Sequence, residues 1–350
     1  MSTGPLAVAA PSTVGCYVHH HGSGHLHRAG ALTRELAGRG VSVTGLSSLP
    51  RPDDWSGEWV DLPRDDPAEP GCPDPAAADP LAGGRLHWAP RHHVGLLERH
   101  AAVADWLART RPAAVVVDVS VEVALLVRLH GVPVVSVVLP GVRDDAAHGL
   151  GHDVCDELVG LWPAGATATL LGVAPEVAGR VRALGGLSRF EVEAPPGRRR
   201  PGPPRVLVLG GRGGDAWAEG ELEAATAAAG SWDWQVLGGT GGSWVADPRE
   251  AIRDADVVLT HAGQNALAEV AALRRPAVVV PAERPHDEQR CTGRVLAAGP
   301  WPAVVVPSLA AARWPDVLDE ARALDGSAWA GWVDGHAAAR FADVVEQVAR

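Results

Sequence analysis

Three groups of residues in this 350-residue chain have the types and spacing to do chemistry. The first is a turn crowded with imidazoles: His19, His20, His21, His25 and His27 follow the apolar run "VGCYV". An imidazole there could accept and release a proton. A metal cluster is the competing functional reading of so many imidazoles, but no carboxylate with ligand spacing lies nearby in the sequence. The second group is a pair of glycine turns, "HGSGH" and "GGRGG", each set between an apolar run and a helical pattern. Bare backbone amides at a helix start favour anions. Neither turn matches G-x-G-x-x-G, and either alone can serve as a tight connection. The third group runs from Val257 to Gln289 and reads "VVLTHAGQNALAEVAALRRPAVVVPAERPHDEQ". It holds Asn265, the only asparagine of the chain.

The elements that must position these groups follow from hydrophobic periodicity. "VGCYV" reads as a buried strand, "LHRAGALTRELAGRG" as a helix with Leu26, Ala29, Leu32 and Leu36 on one face, and "VSVTGL" as the next strand. Gly38 and Gly40 stop that helix. "AAVVVDVS" and "VPVVSVVLPG" are nearly continuous in Val and Leu, the mark of parallel strands buried on both faces. Between Asp61 and Pro90 the pattern dissolves, so this stretch is disordered or a functional loop. "APPGRRRPGPP" then reads as a linker. The strand–turn–helix pattern restarts at "RVLVLGGRGG". The expected fold is α/β, with two Rossmann-like parallel-sheet domains facing a cleft. Residues 1–196 form the first domain and residues 205–330 the second. Residues 331–350 supply a terminal helix that is free to return to the first.

Composition narrows the classes. The net charge of −11, from 42 acidic and 31 basic residues, disfavours non-specific binding to nucleic acid or anionic membrane. The chain has no lysine, which excludes a Walker A loop and a lysine Schiff base. Its four cysteines are widely separated and suggest neither a zinc site nor a disulfide framework. No stretch reaches transmembrane length, and no leader pattern is visible, so a cytoplasmic location is expected. Peripheral membrane contact through an apolar patch stays open.

The third group carries a resemblance. Thr260-His261-Ala262-Gly263, Asn265, Glu269, Pro276, Pro281 and Glu288-Gln289 resemble the nucleotide-sugar motif of the two-domain GT-B glycosyltransferases. The pattern is similar to that of UDP-glycosyltransferases and of the peptidoglycan N-acetylglucosaminyltransferases. Arg275 stands where those enzymes usually have glycine. The resemblance implies that His261 and Asn265 donate to the donor phosphates, with Gly263 allowing close backbone approach. It also implies that Glu269, one turn beyond Asn265, accepts from the ribose hydroxyls. Glu288 and Gln289 would bind the donor sugar, and the amides of Gly213 and Gly214 would meet the diphosphate. Trp244 would stack on the base, with the Val245 backbone reading its edge. Asp247 takes the place of the family's glutamine in Trp-x-x-Gln, one residue short, which leaves the base open. "GSGHLHRAGALTREL" resembles the family's first turn, and there His25 matches the general base. Asp118 falls where the small-molecule enzymes keep the aspartate that orients it.

The implied function is metal-independent, inverting transfer of a sugar from a nucleotide diphosphate sugar, UDP-linked first of all, to an acceptor hydroxyl. No cofactor is expected, since the nucleotide sugar is a substrate, and the acceptor is a small or lipid-linked molecule. Arg143, Asp144 and His148 in "PGVRDDAAHG", with the loop Asp61 to Pro90, are the expected acceptor contacts. Asp254-Ala255-Asp256 spells D-x-D, but it precedes a strand instead of ending one and is expected to bind no metal. Two alternatives remain: a nucleotide-sugar epimerase of the same fold, and a weakly catalytic binding subunit.

Overall fold

The computed structural model describes residues 13–22, 24–66, 74–195, 202–210, 217, 220–239 and 242–350. Among the described residues, nine strands come from the first part of the chain. They are β1 (Thr13–Tyr17), β2 (Ser42–Ser47), β3 (Trp59–Asp61), β4 (Ala114–Asp118), β5 (Val134–Val138), β6 (Gly141–Val142), β7 (Glu157–Gly160), β8 (Leu171–Gly172) and β9 (Val181–Ala183). Seven of them make one sheet in the order β3-β2-β1-β4-β5-β7-β9, every pairing parallel. β6 and β8 pair apart from it. The second part adds β10 (Arg205–Leu209), β11 (Asp233–Leu237), β12 (Val257–Thr260), β13 (Ala277–Val279) and β14 (Ala303–Val305). These form a parallel sheet ordered β11-β10-β12-β13-β14.

The two orders fix where chemistry can occur. In the first sheet the direction of winding reverses between β1 and β4, and in the second between β10 and β12. At such a reversal the connecting helices leave on opposite faces and a crevice opens beyond the carboxyl ends of the two strands. The turn after β1 carries the histidines, β4 ends in Asp118, and β12 ends immediately before His261. Both chemical groups therefore sit at switch points.

The core follows the apolar pattern. Val115 and Val117 are buried on one side of β4 and Val116 on the other, in different clusters. Ala29, Leu32 and Leu36 of the helix Gly24–Gly38 are buried against the first sheet, with Leu26 packed at the edge. The last helix, Ala337–Val348, lies on the same sheet, with Phe341, Ala342, Val344 and Val345 in one cluster with Val14 and Leu32. Arg39 ties it to the first helix through Asp343 at 2.6 Å and Glu346 at 2.9 Å. The chain thus crosses to the second sheet and comes back. Among the described residues, no helix is long and apolar enough to cross a membrane.

Candidate active site

His25 enters the cleft because the helix Gly24–Gly38 starts one residue before it, directly after the β1 turn. Its Nδ1 lies 3.0 Å from Asp118 Oδ2, so the strand-end carboxylate and the turn imidazole do meet. A third group, unforeseen from sequence, shares the site. Arg28, one helical turn beyond His25, donates from Nε to Asp118 Oδ2 and from Nη2 to Oδ1, both at 3.1 Å. Its Nη2 also stands 2.8 Å from His25 Nδ1. Burial pushes the Asp118 carboxyl up, but Arg28 and His25 outweigh it and hold it well below the usual aspartate range. Asp118 is therefore ionised; Arg28 Nη2 and Asp118 Oδ2 both approach His25 Nδ1, and in the tautomer that donates Nδ1–H to Asp118 the basic nitrogen is Nε2. The i,i+3 spacing of His25 and Arg28 was the available signal.

The opposite wall comes from the second domain. Gly263 caps the helix Gln264–Ala272, which directs its first backbone amides and Asn265 into the cleft. A cavity of about 360 Å³ is lined by His25, Arg28, Arg189, Trp244, Val245, Gly263, Asn265, Glu269 and Glu288 among others. Six of the donor residues expected from sequence thus share one space with the expected base. The two walls touch at Gly24: a Cβ there would lie 2.2 Å from Asn265 Nδ2, so only glycine leaves room for the amide.

Glu269 is buried and accepts from Arg189 Nε at 2.7 Å, while Arg189 Nη1 donates to Ala246 O at 2.9 Å. Burial raises the Glu269 carboxyl, and Arg189 partly offsets this. Glu288 is raised by burial too, with Arg143 opposing. Arg189 had no sequence signal, because it lies in irregular chain after β9. His261 and Gln289 are buried. His261 Nδ1 donates to Val280 O at 3.1 Å, leaving Nε2 as the acceptor in the neutral ring, and Trp217 lies 4.1 Å from it, centroid to centroid. Gln289 Oε1 accepts from Ala282 N at 2.8 Å, so only its amide NH₂ remains for a ligand. Gly213 and Gly214 lie outside the described residues.

The expected acceptor residues divide. Arg143 is buried, donates from Nε to Leu139 O at 2.9 Å, and approaches Glu288 at 3.8 Å, which links it to the cleft. His148 is held by Asp145 through Nδ1 at 2.5 Å and faces Arg143 with Nε2 at 2.9 Å. Asp144 is exposed, and it is the neighbouring Asp145 that caps the helix Ala146–Val154. The loop after β3 does reach a cavity: Asp65, Asp66 and Trp88 line about 250 Å³ with Tyr17, His19, His20, His21 and Arg99. Here one expectation from sequence fails. Asp66 Oδ2 lies 3.1 Å from His21 Nε2, so the histidine turn does have a carboxylate neighbour, brought from a distant loop. Asp254 and Asp256 stand at the amino end of β12, away from His261, and Asp256 accepts from Arg205 N at 2.9 Å.

Comparison with known proteins bears on the fold and on one segment of the cleft. Residues 243–292 match the glycosyltransferase family 28 C-terminal domain. No curated protein matches the chain in sequence. Among solved structures, the glycotransferase of kitacinnamycin superposes with a TM-score of 0.68 at 16% identity, covering 97% of this chain and 99% of that one. UGT2 of Phytolacca americana, complexed with UDP-2fluoro-glucose and pterostilbene, gives 0.64 at 16% identity over 97% and 100%. The spinosyn rhamnosyltransferase SpnG, complexed with thymidine diphosphate, gives 0.61 at 16% over 96% and 96%. The fold is therefore that of the GT-B glycosyltransferases, and the segment that matches the family 28 C-terminal domain forms one wall of its cleft.

Proposed function

We propose that the chain transfers a sugar from a nucleotide diphosphate sugar to an acceptor hydroxyl with inversion, using no metal and no resident cofactor. The observation that carries this is the single cavity in which the His25–Asp118 pair faces Gly263, Asn265 and Glu269. The diphosphate lies at the start of the helix Gln264–Ala272, where backbone amides and Asn265 meet its charge. His261 adds a donor there only when its Nε2 is protonated, because its Nδ1 donates to Val280 O. Glu269 takes the ribose hydroxyls, with Arg189 holding its Oε1. Trp244 is half exposed at the cleft edge and stacks on the base, with the Val245 backbone beside it. Glu288 and Gln289 hold the sugar. UDP is the first donor nucleotide expected, on the resemblance of the motif over residues 260–289 to that of the UDP-glycosyltransferases.

His25 Nε2 takes the acceptor proton as the oxygen attacks the anomeric carbon, and the nucleoside diphosphate leaves on the other face. Base and diphosphate come from opposite domains, which suits in-line displacement and inversion. Asp118 stabilises the imidazolium, and Arg28 keeps Asp118 in place. The acceptor is a small molecule whose body enters the cavity lined by Tyr17, Trp88 and Arg99, and Arg143 stands 3.8 Å from Glu288.

Incubating the purified chain with a UDP-sugar and no acceptor tests this against the epimerase reading. Slow release of UDP, abolished in His25→Ala, is expected. Conversion of the donor to its epimer without UDP release would overturn the transferase reading.

A further inference from the structure

The histidine turn also holds an arrangement to which the proposed sugar transfer assigns no role. His20 is almost fully enclosed, with 2% of its side chain exposed, yet neither ring nitrogen has a hydrogen-bond partner. An orphaned buried imidazole costs stability unless something else meets it. Its Nε2 is 3.6 Å from Asp66 Oδ2 and 3.7 Å from Asp65 Oδ1, too far for hydrogen bonds. His21 Nε2 lies 3.1 Å from the same Asp66 oxygen. The ligand atoms of His20, His21 and Asp66 all fall within 4.8 Å of one another.

We infer that His20, His21 and Asp66 form a site for a divalent transition metal of the zinc class in the wall of the N-terminal cavity. The spacing matches the chemistry. Nitrogen and oxygen ligands about 2.0–2.2 Å from a tetrahedral zinc ion lie about 3.3 Å from each other. The separations of 3.1 and 3.6 Å bracket that value. Two imidazoles and a carboxylate suit zinc, cobalt or nickel over magnesium or calcium, which prefer all-oxygen sites. Arg64 donates from Nε to the other Asp66 oxygen at 2.9 Å, which orients the carboxylate as outer groups do around bound metals. Its Nη2 contact to Oδ2 at 2.5 Å is the one a metal would replace. Asp65 is within reach as a fourth ligand, and any remaining position faces the cavity beside Trp88 and Arg99. The cluster of His87, Asp145 and His148 is less suited, because both His148 nitrogens already have partners in Asp145 and Arg143.

The site stands whether or not the cleft binds a nucleotide, so metal and UDP binding are measured on the same samples. The untagged full chain, stripped with a chelator, is titrated with Co²⁺ and followed by visible d–d absorption, then challenged with Zn²⁺. One equivalent of Co²⁺, displaced by Zn²⁺, is expected. His21 is exposed and Asp66 partly so, which makes His21→Gln and Asp66→Asn safe for folding. Each should weaken cobalt binding by more than about 10-fold and leave UDP affinity unchanged. His20→Gln should behave likewise where it folds. Absence of the cobalt signal in the parent would overturn the site. So would parent-like binding in both His21→Gln and Asp66→Asn, or loss of binding in His87→Gln instead.

Discussion

Gly24→Ala is the most informative single substitution, because stability and binding should move in opposite directions. The added methyl would sit 2.2 Å from Asn265 Nδ2, whereas ordinary contact begins at 3.4 Å. The amide must therefore retreat by about 1.2 Å, which a side-chain rotation can supply without moving either backbone. Gly24 opens a helix and its φ is not left-handed, so alanine is tolerated there and should stabilise by at most about 1 kcal/mol. A hydrogen bond to a charged group contributes about 1.5–3 kcal/mol. Displacing the Asn265 amide from a diphosphate should thus weaken UDP binding by roughly 10- to 150-fold. Calorimetric titration gives the affinity, and thermal unfolding of the same sample gives Tm. Asn265→Ala should lose a similar amount, and adding Gly24→Ala to it should cost little more, as expected for two changes acting on one contact. A Gly24→Ala protein that folds and binds UDP like the parent would refute the placement of Asn265 on the diphosphate.

Other substitutions separate the remaining roles. His25→Ala should cut turnover by about 10²–10⁴-fold while UDP affinity stays, since the donor is bound by the other domain; equal turnover would make His25 a turn residue only. Asp118→Asn should lower turnover less than that and shift the pH–rate profile, and an unmoved profile would remove Asp118 from the pair. Arg28→Ala leaves buried Asp118 short of a cation and should cost about 3–5 kcal/mol of stability, read as a lower midpoint in urea. The Glu269 carboxyl is raised by burial, and only its ionised form accepts both ribose hydroxyls. UDP affinity should therefore fall as pH drops through a value above the ordinary glutamate range, and Glu269→Gln should flatten that dependence. The same raised group favours the fold below its unfolded pKa and loses that contribution as pH rises, the opposite sign to its effect on binding.

What the sequence made legible was local. Strands and the first helix follow from apolar periodicity, and the spacing from Thr260 to Gln289 places Gly263, Asn265 and Glu269 on one helix start. His25 and Asp118 were legible through the family resemblance alone; their place at a switch point emerged with the strand order. The partners were harder to see, because charges find each other across folded distance. Arg189 reaches Glu269 from irregular chain 80 residues earlier, and Asp66 meets His21 across 45 residues of loop and helix. No periodicity encodes such pairings. Gln289 shows the limit of a motif: its position was foreseen, but not that its carbonyl is committed to Ala282.

The central claim is that the cleft binds a nucleoside diphosphate through the helix that starts at Gly263. Calorimetric titration of UDP, dTDP and GDP into the full chain and into Glu269→Ala tests it most directly. One site per chain is expected, with UDP bound tightest and weakened by roughly 1–3 kcal/mol in the variant, the cost of leaving ribose hydroxyls unpaired. Binding of none of the three, or UDP binding unchanged in Glu269→Ala, would contradict it.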